Sequence, residues 1–198
     1  MKNVLKFAFS ALVIGATVFT SCNDDENNDP ASTPSIYSRL GGTTLVADPN
    51  NPGQMIEQGR LSFRSVVDTT INLIVADIVA GNQGNLGAHF APIAGEVFGN
   101  PPNATNVAIL SDNLTDFFSF NTGGTNAVNT YSGLDMVAAH DPAQNSRMGA
   151  KSTDADYTKF VGYVGAAAVA NGVQSNTELF ADVVAVLESL RDPIVQAP

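Results

Sequence analysis

The sequence predicts an all-α fold in a single domain, with a small β-hairpin-like insertion after the first helix. Three observations carry this reading. Apolar residues recur at spacings of three and four over most of the chain from about Gly59 onward. Clusters of Gly, Asn and Pro interrupt that recurrence at intervals suited to helix ends. Strand-prone residues are confined to a short stretch around 43–57.

Taken in order, Ser35 is placed to cap a short helix that Gly41 and Gly42 end. Thr43 to Ala47 is β-prone, Asp48-Pro-Asn-Asn-Pro-Gly53 is dense in turn residues, and Gln54 to Glu57 returns as a second short strand. A long helix follows, with Leu61, Val66, Ile71, Ile74, Val75 and Ile78 on an apolar face and Gly81 as its stop. Asn82 to Gly87 is a loop, Phe90 to Phe98 a short helix, and Gly99 to Thr105 a break. Val107, Leu110, Leu114, Phe117 and Phe118 mark an amphipathic helix that ends before Gly123-Gly124. Tyr131 to His140 runs from a Gly-containing turn into a short apolar helix. Thr153-x-x-Asp156 and Ser175-x-x-Glu178 have the spacing of capping boxes and open the last two long helices. Asn171-Gly172 closes the first of these, and Pro193 follows the second.

Composition removes several classes of function. The net charge is -10, from 9 basic and 19 acidic residues. That balance argues against nucleic acid as a partner, because phosphate contacts need clustered Lys and Arg. The single Cys excludes an internal disulfide framework and a Cys-based zinc site. No Gly-rich Lys loop, no Gly-x-Ser-x-Gly elbow and no calcium-loop spacing is present.

The first residues have the pattern of a targeting segment. Lys2 and Lys6 are followed by an apolar run from Phe7 to Phe19 and then by Thr20-Ser21-Cys22. The run is shorter than the ~20 residues a membrane span needs, so residues 1–21 read as a signal peptide. Ser21-Cys22 resembles a bacterial lipobox, with Phe19 a departure from its pattern. That resemblance implies lipidation of Cys22, with the membrane engaged only through that lipid, and a location in the cell envelope on the outer membrane. An ordinary cleaved signal with an incidental Cys is the alternative. From Cys22 to Pro34 the chain is polar and acidic and reads as a disordered tether. Its acidic patch suits either a surface-export signal or a solvated linker. About 175 residues follow the targeting segment, ample for one core, and 35–198 of them form the domain.

His140 is the residue around which a function is to be sought. It is one of two histidines and lies four residues after Met136, so the two share a helix face. A neutral imidazole at a helix end, facing an apolar core, has the properties of an axial haem ligand. An ordinary hydrogen-bonded His fits the same spacing.

The ordered series of phrases resembles the group I truncated haemoglobins, the two-over-two form of the globin fold. The phrases are Ile36-Tyr-Ser-Arg-Leu-Gly-Gly42, Val66-Val-Asp68 with Ala76-Asp77, Phe117-Phe118 with Gly123-Gly124, and Tyr131-x-Gly133-x-x-Met136-x-x-Ala139-His140. Asn171-Gly-Val173, Leu190-Arg191 and Ile194-Val195 complete it, so the likeness covers most of Ser35 to Val195. The resemblance implies haem b, with its iron held by His140 and with Phe90 packed on the porphyrin. Met136 and Tyr131 fall near the proximal face, and a backbone carbonyl one turn back is the expected partner of the other His140 nitrogen. The polar distal positions of the family fall on Ile71, Leu110 and Leu114, beside Phe117, which implies an apolar distal pocket. Such a pocket lacks a hydrogen bond worth about 0.5–1.5 kcal/mol, so weak O2 retention, favoured CO and poor NO dioxygenation are expected. A basic residue of the family is missing near Leu134, leaving Arg147, Lys151 and Arg64 as candidates for the haem propionates. His89 is expected either as a solvated loop residue or as a second iron ligand at the distal edge.

Three functions follow. The first is a haem-binding envelope lipoprotein that binds a diatomic gas (O2, CO or NO) or handles electrons with a redox partner. The second is a globin-fold interaction module without haem. The third is a surface haem-binding relay.

Overall fold

The computed structural model describes residues 33–198, so the expected signal peptide, the expected lipidation site Cys22 and the expected tether up to residue 32 lie outside the described residues. The described part is mostly helical, with one small two-stranded antiparallel sheet. Eight α-helices are present among these residues: α1 (Ile36–Arg39), α2 (Gln58–Ala80), α3 (Ala91–Val97), α4 (Thr105–Asn121), α5 (Met136–His140), α6 (Asp154–Ala170), α7 (Glu178–Ser189) and α8 (Arg191–Ile194). Strands β1 (Leu45–Ala47) and β2 (Met55–Glu57) pair in register Val46 to Ile56, as the hairpin-like insertion. Among the described residues, no helix is long and apolar enough to cross a membrane.

Local chemistry accounts for most boundaries. The Ser35 side chain accepts from the Ser38 amide and caps α1. Gly81 adopts the left-handed conformation, φ 67°, that ends α2, which a side chain would resist. Thr153 and Asp156 form the expected reciprocal capping box at α6. The box expected at Ser175 is absent. Thr177 caps α7, its side chain accepting from the Phe180 amide, because its hydroxyl sits directly before the first helical residue. Pro193 lies inside the short helix α8 instead of ending the previous one.

Helix α2 is the axis of the domain and packs against both α4 and α6. Its buried face, with Phe63, Val67 and Ile71, meets Tyr37, Phe118, Val164 and Leu187 in the main core. Tyr37, Phe63 and Phe118 form a ladder of nearly parallel rings, with centroids 6.4 and 6.1 Å apart. Two glycines make room for the first rung. A Cβ on Gly59 or on Gly124 would lie 2.8–2.9 Å from the Tyr37 ring. The Tyr37 hydroxyl bonds the Glu57 carboxylate, and Asn129 donates to both at 3.0 Å. Burial first, and then Glu57, push the Tyr37 hydroxyl up to about 12, so it stays a donor.

Candidate functional site: an apolar cavity with paired histidines

Beside the ring ladder, whose Phe118 also borders it, the domain leaves space unfilled. A cavity of about 390 Å3 lies between α3, α4, α5, α6 and the C-terminal helices. Phe90, Ile93, Leu110, Leu114, Phe117 and Met136 give it an apolar wall. Its volume falls within the ~300–1,000 Å3 usual for small-molecule and cofactor sites.

His140 lies on this wall, at the last position of α5. The helix is short, so its placement is secured from outside. Asp135 accepts from the Ala138 amide and caps its start. Asn145 donates to the Ala139 carbonyl at 2.7 Å, and the C-terminal Gln196 side chain donates to the Val137 carbonyl at 2.7 Å. The Gln196 and Ala197 amides both donate to the Ser152 carbonyl, which joins the tail to the loop before α6.

His89 is placed otherwise than either sequence expectation. It is only 5 % exposed, so it is not a solvated loop residue. It does not face His140 across the cavity either, but sits beside it. His89 Nε2 lies 3.2 Å from His140 Nδ1, and His89 Nδ1 lies 2.7 Å from the Ala150 carbonyl oxygen. The expected backbone-carbonyl partner of His140 is therefore replaced by a second imidazole. Burial lowers the pKa of both rings, and together with the neighbouring His89 it takes His140 down to about 4. Both rings are therefore neutral at pH 7. His140 Nε2 has no hydrogen-bond partner among the described residues.

The remaining expected site residues divide. Phe90, Leu110, Leu114, Phe117, Tyr131 and Met136 all line the cavity together with His140. Tyr131 packs edge-on against Phe117 and donates to the Leu134 carbonyl at 2.7 Å. Ile71 does not belong to the cavity. It is buried in the main core and borders a separate void of about 30 Å3, because its face of α2 turns toward the packed interior. Arg64 is also removed from the site, since it makes a two-pronged pair with Asp48 at 2.6 and 3.2 Å. Lys151 sits 4.0 Å from Asp141 and is not on the wall. Arg147 is on the wall, and among the described residues it alone of the Lys and Arg side chains lies within reach of no carboxylate.

Asn113 was not anticipated and also lines the cavity. Its position was readable: Leu110, Asn113, Leu114 and Phe117 fall on one face of α4 at helical spacing. Among the described residues no group of three or more His, Cys, Asp or Glu side chains is arranged to hold a bare metal ion. A single imidazole suits a metal whose other ligands come from a macrocycle.

Fold and site together define a helical domain with an apolar, histidine-bearing cavity. No known family model matches the chain, and no curated protein matches it at a significant level.

Proposed function

We propose that the domain is a truncated-globin-like haem protein, in which His140 holds the iron of haem b and the cavity wall encloses the macrocycle. The observation that carries this is one mostly apolar wall bearing both a neutral His140 with an unpartnered Nε2 and an Arg147 without an ion-pair partner, the one carboxylate on that wall, Asp156, being engaged by Thr153 in the α6 cap. These features match the three needs of an amphipathic, anionic, iron-bearing ring: an axial nitrogen, an apolar slot and a cation. The packing of α2 against α4 and α6 favours a two-over-two arrangement.

Each part of the chain then has a task. His140 presents a neutral nitrogen, and Arg147 neutralises a propionate. Phe90, Phe117, Leu110 and Leu114 exclude water and offer few hydrogen bonds. Haem b, when bound, supplies an iron able to take a diatomic gas or an electron. The predominantly apolar wall favours CO over O2, with Asn113 the one polar side chain that α4 contributes. The N-terminal signal reading places this activity in the cell envelope, anchored by lipid on Cys22.

Titration of the purified chain with haemin tests the proposal. One equivalent gives a sharp Soret band in the wild type and none in His140→Ala. A band of equal height in both proteins contradicts it.

A further inference from the structure

We infer that His89 is the positioning residue for His140, and that a hydrogen-bond chain from the Ala150 carbonyl through His89 fixes which His140 nitrogen faces the cavity with a lone pair. This rests on the haem reading only for its purpose, since the chain itself is a property of the protein alone. A backbone carbonyl can only accept, so His89 Nδ1 must donate to Ala150 at 2.7 Å. A neutral His89 then has Nε2 as its acceptor. His140 Nδ1 must therefore carry the proton that bridges the 3.2 Å to His89 Nε2. In a neutral His140 this leaves Nε2 unprotonated, as a metal-binding nitrogen must be. One carbonyl thus sets two tautomers in succession.

The ring geometry supports a hydrogen bond over a stacking contact. The two ring planes differ by 11° and their centroids are 5.4 Å apart. That separation is nearly the N···N distance plus two ring radii, so the nitrogens lie between the centroids and the rings meet edge to edge in one plane. His89 is 5 % exposed and both of its nitrogens meet uncharged partners, the setting in which an imidazole stays neutral, as the relay requires.

The relay is held from its far end. The Gly149 amide donates to the His89 carbonyl at 2.7 Å, which locks the 145–150 loop onto the turn that carries His89. The approach is close enough that a Cβ on Gly149 would meet the Ala88 carbonyl oxygen at 2.6 Å and the Ala91 Cβ at 3.0 Å. Glycine at 149 is therefore what allows Ala150 to reach the imidazole. Phe90 packs edge-on against the His89 ring at 4.9 Å and closes the remaining side.

The test has two arms. Ring 15N NMR on the full chain without haem reads the tautomers directly. The expected spectrum shows both histidines as Nδ1–H tautomers, and His89→Leu turns His140 into a mixture or into the Nε2–H form. An Nε2–H His140 in the wild type, or a His140 signal indifferent to His89→Leu, overturns the inference. In the second arm, haemin affinity falls about 10–100-fold in His89→Leu and the midpoint potential moves positive, since the axial nitrogen loses its acceptor. His89→Gln recovers most of both, because its carbonyl accepts from His140 while its amide donates to Ala150. An unchanged potential in His89→Leu, or no recovery in His89→Gln with the fold intact, also overturns it. The expected tautomers in a chain that binds no haem sink the haem reading and leave the relay standing.

Discussion

The two sides of α4 show opposite solutions to filling space. On one side, Phe118 closes against Phe63, Tyr37, Val164 and Leu187, and two glycines are given up so that the Tyr37 ring fits. On the other, Leu110, Leu114 and Phe117 flank that cluster and, together with Phe118 and Leu187 themselves, border a cavity that the chain leaves open. Protein interiors are close-packed, and an apolar void of this size forfeits contacts on every lining atom. The first side therefore specifies the fold, and the second has the form of a site completed by something else. Even the polar groups divide this way. Tyr37, Glu57 and Asn129 satisfy one another, whereas the histidine pair ends in a nitrogen without a partner.

Substitutions on the two sides should therefore differ in cost. Phe63→Ala removes the middle rung of the ring ladder and is expected to destabilise the chain by about 3–5 kcal/mol in urea unfolding. Gly59→Ala drives a methyl group into the Tyr37 ring, for about 1–3 kcal/mol. Leu110→Ala borders space that is already open, so its expected cost is nearer 1 kcal/mol without haem. A Leu110→Ala loss as large as that of Phe63→Ala would show that the cavity side is as tightly coupled as the core.

The smallest effect expected is one of pH, and it belongs to the filled side. Arg64, with Asn51 and the Asn50 amide, holds the Asp48 carboxyl well below its usual range. A depressed carboxyl contributes stability that is present above its unfolded value of about 3.8 and is lost as pH falls below it. Asp48→Asn should remove that part of the acid sensitivity while leaving haem binding at pH 7 unchanged. Unfolding curves between about pH 5 and 2 that coincide for the two proteins would refute the assignment.

What the sequence made legible was local. Ser35, Gly81 and the Thr153–Asp156 box act on amides three or four residues away, and each lies where its spacing puts it. The α4 face was legible for the same reason, since helical period alone brings Leu110, Leu114 and Phe117 to one wall. The structure departs from the expected placements where distant segments decide. Ile71 was assigned by position in a resemblance, but the neighbours of α2 turn it into the core. Arg64 was free in the sequence and is taken by Asp48 across the hairpin. His89 depends on His140 and Ala150, 51 and 61 residues downstream, so no local pattern marks it.

Hydrogen exchange of the purified chain, with and without one equivalent of haemin, tests most directly whether the open side is the one a ligand completes. The expected result is slowed exchange in α3, α5 and residues 141–152 and no change around Tyr37 and Phe63, with the whole effect abolished in His140→Ala. Protection that is absent, or that survives the loss of His140, would contradict the account.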